Sequence, residues 1–331
     1  MEKIFKVISI VLIFVVFLYF VLDYFLYKTH SLSLQRELKK ENIFVEIPAY
    51  YTYFFKNYGE TLSSFKEKYV DGEHPNFRKP NISNEYTKPS IIIFGCSFAY
   101  GSYLNDEETF SAKLSKYTRR NVFNRALSGC GIQHMFYFLQ DEKFFNHISS
   151  DTKYVVYVYI ENQIERLNAT IFPHSIFRNG TNLRYEILND KLSLKRDIPF
   201  VDKSFLLRKI ILLLDSKVDI TSDIMKKKNS ELAVKLFVES KKKLQEKYSD
   251  IKFIILKYNY DYYEVISNYK EVNIEDSDMW KELEEQGFIV MNTKDLLGFA
   301  YSKEYTTEDK YHPSARAWDL LVPKLAEKLS L

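Results

Sequence analysis

Asp309-Lys-Tyr-His312-Pro313 sets a carboxylate three residues before an imidazole. At that spacing Asp309 can accept a hydrogen bond from His312 Nδ1 and leave Nε2 to take a proton from a hydroxyl nucleophile. This is the serine–base–orienter logic of acyl transfer. The candidate nucleophile is Ser97, in Gly95-Cys96-Ser97-Phe98-Ala99-Tyr100-Gly101, just past the apolar run SIIIFG. A serine at that place also serves as a simple turn or helix cap. The carboxylate–histidine spacing occurs twice, since Asp71-Gly-Glu-His74-Pro75 repeats it. The upstream copy precedes the first strand. The downstream copy follows the last strand and precedes the last helix, which makes His312 the preferred base.

Two further segments could supply oxyanion donors. In Asn124-Arg-Ala-Leu-Ser-Gly129-Cys-Gly131 a glycine can bring a backbone N–H close to a developing negative charge, although a plain turn has the same composition. In Tyr159-Ile160-Glu161-Asn162 the Asn162 amide can offer a second donor, or simply end a strand. Cys96 and Cys130 stand in these loops. They read as two small buried residues, or as a disulfide if the domain is exported. Cys96 is a poor nucleophile candidate because its side chain should point opposite to that of Ser97.

These residues need elements to position them. SIIIFG is a short β-branched run ending at glycine, the pattern of a buried strand. Similar runs are NVFNRAL near 121–127, KYVVYVYI at 153–160, KFIILKY at 252–258 and GFIVMN at 287–292. Helical patterns lie between them. A helix is expected from Asn105 onward, where Glu108 completes a capping-box spacing, and others over HMFYFLQDEKFFNHI, ELAVKLFVESKKKLQEKY and SARAWDLLVPKLAEKL. Strands alternating with helices predict a parallel sheet covered on both faces, and such sheets bind ligands at the strands' carboxyl edge. The rhythm breaks over about 168–248. There RYEILNDKLSLK reads as a hairpin with an Asn189-Asp190 turn, and the stretch is expected to be an insertion over that edge. FLLRKIILLL at 205–214 reads as a core-facing helix, too short to span a bilayer.

The chain of 331 residues is 46% hydrophobic and 16% aromatic, which excludes global disorder. Nine glycines in 331, about 2.7% against an average near 7%, exclude collagen-like and glycine-rich chains. Four of the nine, Gly95, Gly101, Gly129 and Gly131, fall in the two loops just described. Two cysteines cannot build a disulfide framework. Six histidines without metal-ligand spacing make a metal site unexpected, and no cofactor motif is present. A net charge of +3 predicts no nucleic-acid partner, and the lysine runs at 226–228 and 241–243 read as solvated helix faces. Val7 to Tyr27 carry one charge, Asp23, over a helical length of about 31 Å. That matches a bilayer core. A cleaved signal peptide would have a shorter apolar core and a small-residue cleavage site, whereas Tyr24-Phe-Leu-Tyr27 follows here. The expected organisation is a transmembrane anchor in 1–28, a juxtamembrane segment in 29–88 and a catalytic domain in 89–331. The near-even flanking lysines leave orientation to the short amino-terminal tail, which favours an extracytoplasmic domain.

IIIFGCSFAYGSYLNDEETF, NRALSGCG, YIEN and DKYHP resemble, in order, blocks I, II, III and V of the SGNH (GDSL-type) hydrolase family. The similarity covers about residues 88–165 and 250–331. It implies a flavodoxin-like three-layer α/β/α sandwich and serine-dependent ester chemistry without a cofactor. By matched position Ser97 is the nucleophile, with Asp309 and His312 completing the triad. The Ser97 and Gly129 N–H groups and the Asn162 amide form the oxyanion hole. Cys96 stands where the family has Asp, and Ile160-Glu161-Asn162-Gln163 replaces Gly-x-Asn-Asp. The implied function is an esterase acting on a small O-acyl ester, with an O-acetyl ester of a cell-envelope saccharide as the expected example. An O-acyltransferase shares the same acyl-enzyme, and a non-catalytic glycan-binding or scaffold protein on a decayed fold is the reading of another class.

Overall fold

The computed structural model describes Phe14, Val15, Leu18, Tyr19, Val21 and Leu22 near the amino terminus, then most of residues 77–331. Within the latter span residues 128–129, 147, 161, 166, 168–183, 196–222, 260–276, 300–301 and 310 are not described. The chain divides into two units. One comprises Met1–Tyr58, Ala169–Asn182 and Arg196–Ile220; its six described residues are helical. The other comprises Gly59–Asn168, Leu183–Lys195 and Thr221–Leu331 and carries the sheet.

Its strands are β1 (Lys88–Gly95), β2 (Arg120–Asn124), β3 (Tyr154–Tyr159), the hairpin β4 (Arg184–Leu188) and β5 (Lys191–Lys195), β6 (Lys252–Lys257) and β7 (Ile289–Asn292). Five of them form one parallel sheet in the order β2-β1-β3-β6-β7. Counted along that sheet alone the order is 2-1-3-4-5, the doubly wound arrangement of flavodoxin-like folds. Ile91, Ile92 and Ile93 in β1 are all fully buried, so both faces of the strand are covered, as a parallel sheet requires.

Side-chain parity separates the faces. Ile91, Ile93, Val156, Val158, Ile254 and Leu256 meet α2 (Phe110–Thr118) and α8 (Ala315–Leu329), with Phe110 and Trp318 ring to ring at 4.9 Å. The alternate residues face α3 (Ile132–Phe138) and α5 (Asp223–Lys247), where Phe237 meets Tyr157 at 5.1 Å, and the 3-10 turn after α3, where Phe144 stacks on Phe94 at 5.9 Å. Three short helices complete the set: α1 (Ser97–Tyr100), α4 (Asn162–Glu165) and α7 (Thr293–Leu297), with α6 (Ser277–Glu285) before β7.

Several boundaries differ from the sequence expectation. Glu108 does bond the Asn105 N–H at 2.9 Å, but the pair closes a 3-10 turn over Asp106–Glu108. The regular helix begins at Phe110, because extended Thr109 intervenes and its hydroxyl caps the Ala112 N–H. The regular strand ends at Asn124 rather than residue 127, although Arg125 N and Leu127 N still bond the Ile93 and Gly95 carbonyls of β1 at 2.8 and 3.3 Å; on the outer edge the Asn124 side-chain carbonyl accepts from Ala126 N at 3.1 Å. The long helix expected over HMFYFLQDEKFFNHI stops after α3, and Asp141 caps a separate 3-10 turn over Glu142–Phe145. The hairpin is present, with Asn189 and Asp190 both at positive φ as a two-residue turn demands. The helix α5, expected within the 168–248 insertion, packs on the sheet and lies in the connection between parallel β3 and β6.

Residues 29–76 and 205–214 lie outside the described residues, as does most of the apolar span 7–27. Among the described residues no helix is long and apolar enough to cross a membrane.

Candidate active site

The sheet reverses its winding between β1 and β3, and the candidate residues cluster after the strand ends there and beyond. Gly95 ends β1 with φ +146, and a Cβ on it would lie 2.8 Å from both the Ala99 Cβ and the Val158 carbonyl oxygen. Only glycine lets the chain turn here with β3 so close. Cys96 follows, fully buried, and Ser97 opens α1 nearly buried. The Ser97 N–H is a first-turn donor of that helix, a group with no acceptor inside the helix.

The loop after Ser97 is pinned from several sides. Gly101 adopts φ +81 and closes α1; Ser102 N bonds the Ser97 carbonyl at 3.0 Å. Asn124, fully buried at the end of β2, donates to the Ala99 carbonyl at 2.9 Å and to Ser111 Oγ at 3.2 Å. Arg78 reaches in from before β1. Its guanidinium donates to the carbonyls of Gly101 at 2.8 Å, Leu104 at 2.9 Å and Tyr100 at 3.3 Å. It also pairs with Asp106 and lies 4.9 Å above the Tyr100 ring. The fork geometry of arginine suits such multiple carbonyls, which lysine could not engage together. Sequence reasoning did not single out Arg78, because an arginine before a strand carries no local signature.

Asp309 and His312 form the second half of the site. The Asp309 Oδ2 meets His312 Nδ1, while Oδ1 accepts from Thr307 Oγ1 at 2.6 Å and from the Tyr311 and His312 N–H groups at 3.0 Å each. Burial pushes this carboxyl up, but the hydrogen bond and charge of His312, with Thr307 and the His312 N–H, outweigh it. The group is held well below the usual carboxylate range. Thr307 N bonds the His312 carbonyl at 2.8 Å and Ser314 N the Tyr305 carbonyl at 2.8 Å, so the loop closes on itself before Ser314 caps α8.

The two halves meet through aromatic rings. Phe98, the residue after Ser97, is fully buried with its ring 5.3 Å from the His312 imidazole and 5.3 Å from the Tyr311 ring. Tyr103 flanks the imidazole at 5.2 Å. Ser97 thus sits one residue from the ring on which His312 rests. Among the described residues no hydrogen bond joins Ser97 Oγ to the imidazole. Catalytic bonds of this kind often tighten only when substrate is present.

Gly129 lies outside the described residues, as do Asp71 and His74. Asn162 opens α4 directly after β3. Its neighbour Gln163 is fully buried, accepts from Tyr157 Oη at 2.7 Å and donates its backbone N–H to Ile160 at 2.9 Å, which fixes the turn that carries Asn162. Gly131 opens α3, and its N–H donates to His134 Nδ1 at 3.0 Å. Cys96 and Cys130 are both buried and are not joined in a disulfide. Among the described residues no group of three His, Cys, Asp or Glu side chains could hold a metal ion.

No family's sequence model matches the chain, and no curated protein matches it. Solved structures do. A member of the lipolytic protein G-D-S-L family from Veillonella parvula is 14% identical, with a TM-score of 0.41 over 73% of this chain and 98% of the other. A lipase from a goat rumen metagenome is 12% identical, with a TM-score of 0.42 over 72% and 97%. An acetyl xylan esterase from Butyrivibrio proteoclasticus is 10% identical, with a TM-score of 0.42 over 74% of this chain and 64% of the other. These lipolytic proteins and esterases are of the type that the four sequence blocks resemble.

Proposed function

We propose that the chain is a serine esterase, with Ser97 as nucleophile, His312 as general base and Asp309 as its orienting carboxylate. The observation that carries this reading is the Asp309–His312 pair packed on Phe98, one residue from Ser97, at the ligand-binding edge of the sheet. In acylation Ser97 Oγ attacks the ester carbonyl as its proton passes to His312 Nε2. Asp309 holds the tautomer with the Nδ1 proton and stabilises the imidazolium. The Ser97 N–H, with Gly129 and Asn162 as the further donors, would hold the oxyanion. The imidazolium then gives its proton to the departing alkoxide, leaving an acyl-serine. Water, deprotonated by the same imidazole, releases the acid and restores the serine. Where a second hydroxyl takes the place of water, the same machinery is an O-acyltransferase. The substrate class proposed is a small O-acyl ester on a saccharide.

The test is labelling with a fluorophosphonate probe. Wild type should label and Ser97→Ala should not. A folded wild type that stays unlabelled, or labelling that survives the substitution, overturns the assignment.

We further propose that residues 7–27 anchor the protein in a bilayer, with the catalytic unit outside the cytoplasm. The helical state of Phe14, Val15, Leu18, Tyr19, Val21 and Leu22 supports this. Release from membranes by alkaline carbonate would contradict the anchor.

A further inference from the structure

Tyr103, beside the base, is largely exposed to solvent, and its backbone is in a conformation that tyrosine rarely adopts. It sits at φ +67 and is 53% exposed. A left-handed conformation in a bulky residue is costly and persists only where the surroundings over-determine it. Here they do. Ser102 N is bonded to the Ser97 carbonyl, Leu104 N to the Gly101 carbonyl at 3.2 Å, and the carbonyls of both Gly101 and Leu104 are held by Arg78. Both neighbours of Tyr103 are therefore fixed, and its ring is presented 5.2 Å from the His312 imidazole at an angle of 41°. A glycine or asparagine would make this turn at lower cost. Folding alone gives no reason for an exposed aromatic ring at this position.

The location indicates which part of a substrate the ring would meet. In acyl transfer the imidazolium protonates the leaving oxygen, so the alcohol half of the ester must lie against His312. Phe98 occupies the buried side of that imidazole, and Tyr103 borders it on the exposed side. We propose that Tyr103 is the platform for the alcohol half, selecting esters of pyranosides over esters of small acyclic alcohols. This rests on the esterase reading. A pyranose ring offers a flat patch of C–H groups to the face of an aromatic ring and keeps its hydroxyls toward water. A small acyclic alcohol has no such face. The platform's amphipathic edge, a phenol hydroxyl beside water, suits a polyhydroxylated partner.

Two measurements test the proposal. First, kcat/KM is compared for an O-acetylated methyl hexopyranoside and for ethyl acetate. Wild type should favour the pyranoside, and Tyr103→Ala should lower the ratio of the two values about tenfold. Tyr103→Phe should retain most of that ratio. A ratio unchanged in Tyr103→Ala overturns the proposal, whatever the absolute loss, because a ring that merely braces His312 would depress both substrates alike. Second, binding of the acetylated pyranoside is measured by calorimetry in a Ser97→Ala background, with and without Tyr103→Ala. The affinity should fall about tenfold with the ring removed. Equal affinity overturns the platform. This second arm needs no turnover, so it separates failure of the platform from failure of the esterase reading.

Discussion

Replacing Asp309 by Asn separates what the carboxylate does for the loop from what it does for the base. Three donors converge on Oδ1: Thr307 Oγ1 at 2.6 Å and the Tyr311 and His312 N–H groups at 3.0 Å. An asparagine must therefore put its oxygen there and keep all three bonds. Its NH2 then occupies the place of Oδ2 and points at His312 Nδ1. A donor facing Nδ1 forces the imidazole proton onto Nε2, the nitrogen that must be bare to accept from Ser97. The hydrogen bonds survive but lose the carboxylate's charge, and the stability loss should be about 1.5–3 kcal/mol. The tautomer inversion should cost about 10³–10⁴ in kcat, or about 4–5.5 kcal/mol at the barrier. Ester hydrolysis by Asp309→Asn, measured beside circular dichroism and a thermal melt, checks both numbers. Activity within tenfold of wild type in a folded variant would refute the reasoning.

The same substitution alters the response to acid. The Asp309 carboxyl is held below its unfolded value, so its contribution to stability is complete above about pH 4 and fades as the pH falls further toward the folded value. In the unfolded chain the carboxyl takes up its proton first, which favours unfolding. Asp309→Asn has no such group, and its melting temperature should fall less steeply than that of wild type below about pH 4.

Gly95→Ala brings a Cβ to 2.8 Å from the Ala99 Cβ and the Val158 oxygen at φ +146, and should cost about 2–4 kcal/mol in denaturant unfolding. Arg78→Lys keeps the charge but cannot hold the carbonyls of Tyr100, Gly101 and Leu104 together; amide exchange at Ser102 and Leu104 should accelerate, and unchanged exchange would show that the loop holds itself. Arg119, exposed at φ +55 where α2 ends, is a left-handed cap made by a residue with a Cβ. Arg119→Gly should raise stability by about 0.5–1 kcal/mol, visible as a higher urea midpoint.

Much of the scaffold was legible in the sequence for local reasons. The run Ile91-Ile92-Ile93 can only be a strand buried on both faces, and Gly95 marks where that strand must turn. The Asp309–His312 contact follows from a three-residue spacing. The Asn189-Asp190 turn follows from the residue types that accept positive φ. Boundaries failed where side chains compete with backbone. Thr109 delayed α2 by capping it, and Asp141 divided a helix that periodicity alone joined.

Only the tertiary structure decided what lies beside what. That α5 covers the sheet rather than its edge depends on the parallel pairing of β3 with β6, a contact between residues distant along the chain. Phe98 against His312 and Arg78 across the Gly101 and Leu104 carbonyls have the same character. No local pattern encodes them, since each residue is unremarkable among its sequence neighbours. The sequence determined which residues could act as nucleophile, base and orienting carboxylate, because those properties belong to residue type and short spacing. The tertiary structure decided that the rings of Phe98 and Tyr103 flank the imidazole and that an arginine from before the sheet fixes the strained turn between them. Such placements depend on packing over long separations in the chain.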